Sequence, residues 1–529
     1  MRRWLAAVIL LLACSEGGST KGPSEPAAGG AAGDSNGDDP SPGGAGGEGG
    51  EGGPAPLCNP TADGPFWLEE GERVAFDVRC ATGASAIFTL TEMPAGASFD
   101  GRHFAWTPGL SQAAVYSLEF AAGGETGLVK VGVADAFDAE GNLPVVDPLK
   151  YGEELGLPVV FVSKRPDLQV DGKNDVPAEV TYGGHLYAAE VKLRGESSLE
   201  YPKKSYTLKF SKQDKLDDPE RGFRNKREVV LTSTFDDSSY LRQRMVYDLW
   251  NGLSADNVDV QTLSAVVFVE GVYEGLYLLG DHVDGRLMED FGLRQDGNLY
   301  KAVDHRANLR ELDNDGAPKE TLHDGYEKKE GLPADDFADL EQLISWLTSS
   351  SDAAFCAELD QRTVQREFED WWMLVTFVLS DDSAGKNCYL YRDPLDPASR
   401  WRFVTWDHNA SLGQDWLTGR QSAERVEDYS YANGLFARML AQPSIAEPLR
   451  ARYRARLAAE WSQASLDALI SGYVREIAPS AKRDWRKWGD RHRSFSLWQS
   501  RQDINDFEGE VAYLREWLAQ RRDFVAASY

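Results

Sequence analysis

Two acidic residues and an amide in the second half of the chain have the types and order that phosphoryl transfer requires. Asp382 and Asn387 are separated by four residues, and Asp407 stands directly after an apolar run that ends at Trp406. A carboxylate can accept or orient the proton of an attacking hydroxyl. A second carboxylate and an amide oxygen can hold a Mg²⁺ ion against nucleotide phosphates. The sequence therefore offers one candidate base and two candidate metal ligands.

The same segment also has a purely structural interpretation. Asp381-Asp382-Ser383 directly follows a helical pattern, and short polar side chains often close a helix by bonding to nearby backbone groups. Spacing alone leaves both interpretations open.

Basic residues earlier in the chain are candidate phosphate contacts. Lys203 and Lys204 precede a strand pattern, and successive strand residues point to opposite faces, so we expect only one of them to face a ligand. Arg194 and Arg242 are further candidates, and for each of them a structural ion pair is an equally good interpretation.

The elements that must position these residues change character along the chain. Strand patterns occur between residues 157 and 280, as a compact apolar run at Val159–Val162, an alternating run at 187–193 and two runs at 265–280 with a turn near Glu270-Gly271. Residues 364–378 and 507–524 repeat at helical spacing. A β-rich first half and a helix-rich second half predict a large α+β, bilobal unit. The polar stretch 303–335 is predicted to be an inserted loop.

Composition limits the classes of function. The 529 residues carry a formal net charge of -29, which repels nucleic-acid phosphates, so we expect no nucleic-acid partner. No apolar run approaches the roughly 20 residues of a membrane-spanning helix. The 15 Trp, 20 Tyr and 22 Phe indicate a folded chain.

The first 57 residues predict export and tethering. Residues 1–14 combine two Arg with a short apolar run, as signal peptides do, and the sequence ending at Cys14 resembles the bacterial lipobox, in which the cysteine is lipidated. The alternative is an ordinary signal peptide with an incidental cysteine. Residues 15–57 are rich in Gly, Ser and Pro and are predicted to be a disordered tether. We expect a lipid-anchored protein on the outer membrane or cell surface.

Residues 58–137 predict a small all-β sandwich. The stretch from Pro94 to Tyr116 resembles the Ig-like or cadherin-like modules of bacterial surface proteins. Because Cys58 and Cys80 bracket a short segment of this module, we favour a disulfide between them. A second pairing, Cys356 with Cys388, is the weaker expectation.

Residues 155–529 resemble the CotH family of atypical kinases, first known from spore coats. The resemblance rests on four segments in order, namely RGESS with YPKKSY from Arg194, DDSSYLR from Asp236, GVYEGLY from Gly271, and the segment from Asp382 to Tyr391 followed by Trp406-Asp407. It implies a protein-kinase-like fold that phosphorylates Ser/Thr of a protein substrate outside the cytoplasm, using ATP with Mg²⁺ or Mn²⁺.

The resemblance also assigns roles to residues. Asp382, Asp407 and Asn387 would be catalytic, with Asp407 and Asn387 holding the metal. Lys204 is preferred as the phosphate-binding lysine, with Lys203 in reserve.

Two positions depart from the family pattern. Asn409 stands where the family often has an acidic residue, so it could still ligate the metal but without a charge, and Asp281 stands where Glu is common and is a possible supporting acid. His408, between Asp407 and Asn409, is expected to be structural. These departures keep a second hypothesis open, a catalytically degenerate surface adhesion or scaffold lipoprotein.

Overall fold

The computed structural model describes residues 58–136, 146–498, 501 and 503–529. The predicted signal peptide, the lipidation site Cys14 and the tether over residues 15–57 lie outside the described residues. Two parts are seen, an N-terminal β-rich region and a larger mixed α+β domain.

The N-terminal region is built from short strands in three sheets. Its strands are β1 (Pro60–Thr61), β2 (Phe66–Glu69), β3 (Val74–Asp77), β4 (Arg79–Cys80), β5 (Thr89–Leu90), β6 (Ser98–Phe99), β7 (His103–Trp106), β8 (Ala114–Ala122) and β9 (Glu125–Ala134). The sheet orders are β1-β4, β2-β9-β8-β5 and β3-β7-β6. Alternate residues such as Phe76, Phe104 and Phe120 meet in one core between the two larger sheets.

Cys58 and Cys80 form a disulfide in this region, the pairing that the sequence favoured. The second expected pairing is wrong. Cys356 and Cys388 are free, because Cys356 lies on a helix against Ser444 (3.6 Å) whereas buried Cys388 opens a strand and points its Sγ at the Gly385 carbonyl (3.6 Å).

A sheet that closes on itself begins the larger domain. Its strands are β10 (Glu153–Glu154), β11 (Leu157–Lys164), β12 (Val176–Tyr182), β13 (His185–Leu193), β14 (Tyr206–Phe210), β17 (Glu228–Thr232), β18 (Thr262–Val269) and β19 (Val272–Asp281), while β15 (Leu216–Asp218) and β16 (Phe223–Lys226) form a separate hairpin. Strand β11 pairs with both β12 and β18. Val160 and Val162 therefore pack inside the closed sheet, whereas Val159 and Phe161 pack outside it.

A second, four-stranded sheet follows, in the order β21-β20-β22-β23. It contains β20 (Asn298–Ala302), β21 (Tyr326–Glu330), β22 (Cys388–Arg392) and β23 (Arg402–Thr405). The prediction that residues 303–335 form a loop is therefore wrong in part, because Tyr326–Glu330 pairs with β20.

Helices dominate the rest of the chain. They are α1 (Arg242–Asn251), α2 (Gly285–Asp290), α3 (Ala338–Ser349), α4 (Asp352–Arg362), α5 (Gln365–Val378), α6 (Gly434–Ala441), α7 (Pro443–Ala458), α8 (Gln463–Arg493) and α9 (Phe507–Ser528). Helix α5 is buried on every side from Phe368 to Val378, which fixes the chain that leaves it toward Asp382. Among the described residues, no helix combines the length and apolar character needed to cross a membrane.

One carboxylate of the long helix α8 ties the closed sheet to the helices. Asp484 is buried and accepts from the Lys203 ammonium (2.5 Å), the Tyr240 hydroxyl (2.7 Å) and the Leu276 backbone N–H (2.7 Å). Lys203 also donates to the Leu276 carbonyl (2.6 Å). Lys203 is therefore a structural cation, joined to a residue 281 positions along the chain.

The residue before Asp484 on α8 reaches the N-terminal region. Arg483 is fully buried, 3.5 Å from Glu154 and 4.0 Å from Asp135, with its guanidinium over the Tyr273 ring. Arg486 adds an ion pair with Glu69 (2.9 Å). The β-rich region is thus packed against the larger domain through α8.

Replacing Lys203 with Met should destabilise the fold. The change leaves Asp484 buried without a cation, which costs about 3–5 kcal/mol and lowers the melting temperature by about 5 °C or more. Thermal unfolding followed by circular dichroism measures the shift.

Lys204→Met is the matched control, because Lys204 is only partly buried and donates to the Leu199 carbonyl (2.6 Å). Equal melting temperatures for Lys203→Met and the unchanged protein would contradict the structural role.

Candidate active site

The predicted catalytic residues come together at the edge of the second sheet. Helix α5 ends at Val378, a short 3-10 turn spans Asp381–Ser383, and β22 carries the chain away before β23 returns it to Asp407. The Ser383 hydroxyl donates to the Asp407 carbonyl (2.7 Å), which joins the loop to the end of β23. Asn387 and Asp407 both have left-handed backbone conformations, with φ of 54° and 61°. Asn and Asp tolerate this region better than most residues, and it redirects each chain sharply at the site.

Asp382 is held by two neighbours. The Asn387 amide donates to Asp382 Oδ2 (2.8 Å), and the Lys386 ammonium lies 2.8 Å from Oδ1. Because a carboxylate only accepts, the Asn387 NH₂ group faces Asp382 and its amide oxygen faces away. Asp382 is thereby oriented, and Asn387 keeps an oxygen for another ligand.

Asp407 lies among charges of both signs. Burial raises the pKa of its carboxyl group, and the charge of Asp382 adds to that effect. The positive charges of Arg194, Lys301 and Lys386 act in the opposite direction and favour the carboxylate. Three cations and two carboxylates thus share one cleft.

Arg194 reaches this cleft from the other sheet. It follows β13 directly, and its Nη1 donates to Thr232 Oγ1 at the end of β17 (2.9 Å). Its guanidinium also lies over the Trp406 ring, 5.3 Å from the centroid. These contacts hold a cation near Asp407, and its role as a phosphate contact stays a prediction.

Lys301 was missed by the sequence reasoning. It is the one partly exposed residue of β20, a strand whose other four residues are buried. Among the described residues, no carboxylate lies within 4.0 Å of its ammonium group. Burial lowers the pKa of Lys301, and the charge of Asp407 opposes that shift. A lysine inside an otherwise uncharged strand is the signal that could have identified it.

Arg242, by contrast, does not face the cleft. It is completely buried, with Nη1 2.5 Å from Asp237 and Nη2 2.6 Å from Glu510. The phosphate assignment of Arg242 is corrected to the structural ion pair that was its alternative. The reserve assignment of Lys203 is corrected in the same way, because Asp484 occupies its ammonium group.

Asp281 also has a structural environment. The Lys226 ammonium lies 2.8 Å from its Oδ1, and its Oδ2 accepts from the Gln261 backbone N–H (3.0 Å). These contacts fasten β19 to neighbouring segments of the chain, and Asp281 does not join the group around Asp407.

Two further residues flank Asp407. His408 is buried, with Nδ1 3.0 Å from the Ser380 hydroxyl and Nε2 2.5 Å from Thr405 Oγ1. Burial lowers the pKa of His408 to about 3, so the ring is neutral and acts as a bridge, which agrees with the structural interpretation. Asn409 donates through Nδ2 to Asp236 Oδ2 (2.6 Å), a buried carboxylate that the sequence reasoning did not select.

The donor set suits Mg²⁺ or Mn²⁺ held together with a nucleotide. Among the described residues, no three His, Cys, Asp or Glu side chains form a metal cage. Mg²⁺ is usually held by one or two carboxylates with substrate phosphates and waters instead of an all-protein cage. Asp407 and the outward oxygen of Asn387 would supply such a partial set.

Comparisons with known proteins identify the family of the chain. A family model described as CotH kinase protein matches residues 191–525. The chain is 25% identical over 382 residues to the inner spore coat protein H of Bacillus subtilis (strain 168), which covers 71% of this chain and 98% of that protein.

Solved structures give much weaker likenesses. An endo-fucoidan hydrolase of glycoside hydrolase family 107 is 12% identical over 29% of this chain and 27% of its own, with a TM-score of 0.13. Domains 5–6 of the S-layer protein SbsC are 12% identical over 33% of this chain and 91% of their own, with a TM-score of 0.12.

The family match spans well over half of the chain and includes each residue described above around Asp407. The chain therefore belongs to the CotH kinase family.

Proposed function

We propose that the protein is an atypical Ser/Thr protein kinase that transfers the γ-phosphoryl group of ATP to proteins outside the cytoplasm. The observation that carries the proposal is the meeting of Asp382, Asn387 and Asp407 with Arg194 and Lys301 in one cleft. The first three supply a base and metal ligands, and the two cations supply phosphate contacts.

Asp382 is suited to handle the proton of the acceptor. As the hydroxyl oxygen bonds to the γ-phosphorus, the bond to the β–γ bridging oxygen breaks and ADP leaves. The hydroxyl proton passes to Asp382, which Lys386 and Asn387 hold in place (2.8 Å each).

Asp407 and Asn387 would hold the metal ion. When bound, a Mg²⁺ or Mn²⁺ ion neutralises the charge of the phosphates. Arg194 and Lys301 would contact the phosphates directly, since the charges of both favour the Asp407 carboxylate and the two residues come from different sheets. Lys204, which donates to Leu199 in its own loop, would have at most a secondary role.

For location, we propose a lipid anchor on Cys14 that places the enzyme on the outer membrane or cell surface. The signal-like sequence before Cys14 and the Cys58–Cys80 disulfide support export, since disulfides persist in oxidising compartments.

The alternative is a surface scaffold or adhesion lipoprotein that keeps the fold without the chemistry. Two observations favour it. Lys203 and Arg242 are committed to buried ion pairs, and Asn409 gives the cleft one carboxylate fewer than the family pattern.

Asp382→Asn should remove phosphoryl transfer while leaving nucleotide binding intact. Loss of the base lowers the rate by about 10²–10⁴-fold, whereas Asp407 and the cations remain. Transfer from labelled ATP to a generic acidic, basic or Ser-rich protein acceptor, or to the kinase itself, measures the rate, and calorimetry measures nucleotide affinity.

Asp381→Asn is the matched control, since Asp381 instead pairs with Arg425 (2.8 Å) and Gln421 (2.9 Å). It should lower the melting temperature and change the rate less than Asp382→Asn does. Absence of any transfer by the unchanged protein, with nucleotide bound, would favour the scaffold alternative.

Lys301→Met should weaken ATP binding more than Lys204→Met. Lys301 lies among the groups around Asp407, whereas Lys204 contacts its own loop. We expect the KM for ATP to rise about tenfold for Lys301→Met, the effect of losing one charge-assisted hydrogen bond. If Lys204→Met raises the KM for ATP more than Lys301→Met does, Lys204 is the phosphate-binding lysine, as the family resemblance preferred.

Cys14→Ser should prevent lipidation and shift the protein from the membrane fraction to the soluble exported fraction. Incorporation of labelled palmitate, followed on gels of fractionated cells, measures the change. Cys356→Ser is the control, because Cys356 is a free thiol within the folded domain. Equal labelling of Cys14→Ser and the unchanged protein would exclude the anchor.

A further inference from the structure

The bond between Asn409 and Asp236 joins two separate parts of the chain beside Asp407. Asp236 lies before helix α1 and is 5% exposed, and its Oδ2 accepts from the Asn409 amide (2.6 Å). The Gln414 side chain donates to the Asp236 backbone carbonyl (3.0 Å) from the same segment as Asn409. The position of Asp236 is therefore fixed relative to the chain that leaves Asp407.

Asp236 is a buried carboxylate without a cation of the protein. Among the described residues, no Lys, Arg or His lies within 4.0 Å of it. Its neighbour Asp237 takes Arg242 (2.5 Å), so that cation is already committed. Buried carboxylates are normally paired with a cation or bound to a metal ion. Asp236 has a neutral amide instead.

The chemistry of Asn409 explains this arrangement. A carboxylate only accepts hydrogen bonds, so Asn409 must present its NH₂ group to Asp236. An acid at position 409 would place two carboxylates 2.6 Å apart, which requires a shared proton or a cation between them. Asn409 instead orients a single carboxylate, as outer residues of metal sites orient the ligands.

We propose that Asp236 is a further metal-facing carboxylate of the nucleotide site and that Asn409 is the residue that positions it. The inference rests on the proposed function, because it assumes that a metal–nucleotide complex binds beside Asp407. On this view, Asn409 does not mark a degenerate site, since the charge absent at position 409 is provided by Asp236.

Asp236→Asn tests the proposal with little risk to the fold. The substituted amide still offers a carbonyl oxygen to Asn409, so the melting temperature in EDTA should stay within about 2 °C of the unchanged protein. The affinity for Mn²⁺ in the presence of a non-hydrolysable ATP analogue should fall about tenfold or more. Electron paramagnetic resonance of free Mn²⁺ measures the Mn²⁺ affinity, and calorimetry measures the affinity for the ATP analogue, both without turnover.

Asn409→Asp should give the opposite pattern. The two close carboxylates should lower the melting temperature in EDTA, and Mn²⁺ should restore it and bind more tightly than to the unchanged protein. Asn174→Asp is the matched control, because Asn174 donates to Asp171 (3.0 Å) in the same way but on the exposed surface. Asn174→Asp should change neither the Mn²⁺ affinity nor the effect of Mn²⁺ on the melting temperature.

Two outcomes would overturn the inference separately from the proposed function. If the unchanged protein binds nucleotide with Mn²⁺ and Asp236→Asn binds Mn²⁺ equally well, Asp236 is not metal-facing. A lower melting temperature with unchanged Mn²⁺ affinity would show that it only holds the Asn409 segment. Failure of the unchanged protein to bind nucleotide at all would overturn both proposals.

Discussion

The architecture depends on the burial of one carboxylate, Asp484, which must be compensated from several sides. A buried ion is tolerated only when its lone pairs are occupied. Asp484 accepts hydrogen bonds from the Lys203 ammonium, the Tyr240 hydroxyl and the Leu276 backbone N–H. These three groups belong to different segments in or next to the closed sheet. These three contacts hold helix α8 in place, and the neighbouring Arg483 lies 3.5 Å from Glu154.

The contacts of Asp484 also fix the segments that approach Asp407. The loop that contains Lys203 begins at Arg194, and the segment that contains Tyr240 begins at Asp236. Helix α8 continues to His492, whose ring lies 2.7 Å from the Phe235 carbonyl. A single helix thus fixes both segments that approach Asp407 from the closed-sheet side, while β20, β22 and β23 bring Lys301, Asn387 and Asp407 from the other.

The sequence predicted those elements that depend on residues near one another in the chain. The helical repeat over residues 364–378 became helix α5, and the turn at Glu270-Gly271 separates β18 from β19. The spacing of Asp382, Asn387 and Asp407 located one side of the cleft. Lys203 and Lys204 lie before β14 and not within it, so strand alternation does not decide their environments. The sequence could not show that Lys203 is held by a carboxylate 281 residues away. Lys301 and Asp236 were missed for the same reason, because long-range packing brings them to the site.

The charge around Asp407 differs from the strongly acidic composition of the whole chain. With Asp236 added as proposed, Asp236, Asp382 and Asp407 balance Arg194, Lys301 and Lys386, so these formal charges cancel although the whole protein carries -29. A fourth carboxylate at position 409 would leave the cleft negative before any phosphate entered, and only a bound cation could offset it. With an amide at that position, the cleft can meet a metal-bound triphosphate without excess negative charge of its own. The amide at position 409 and the buried, cation-free Asp236 therefore together keep the charge beside Asp407 balanced.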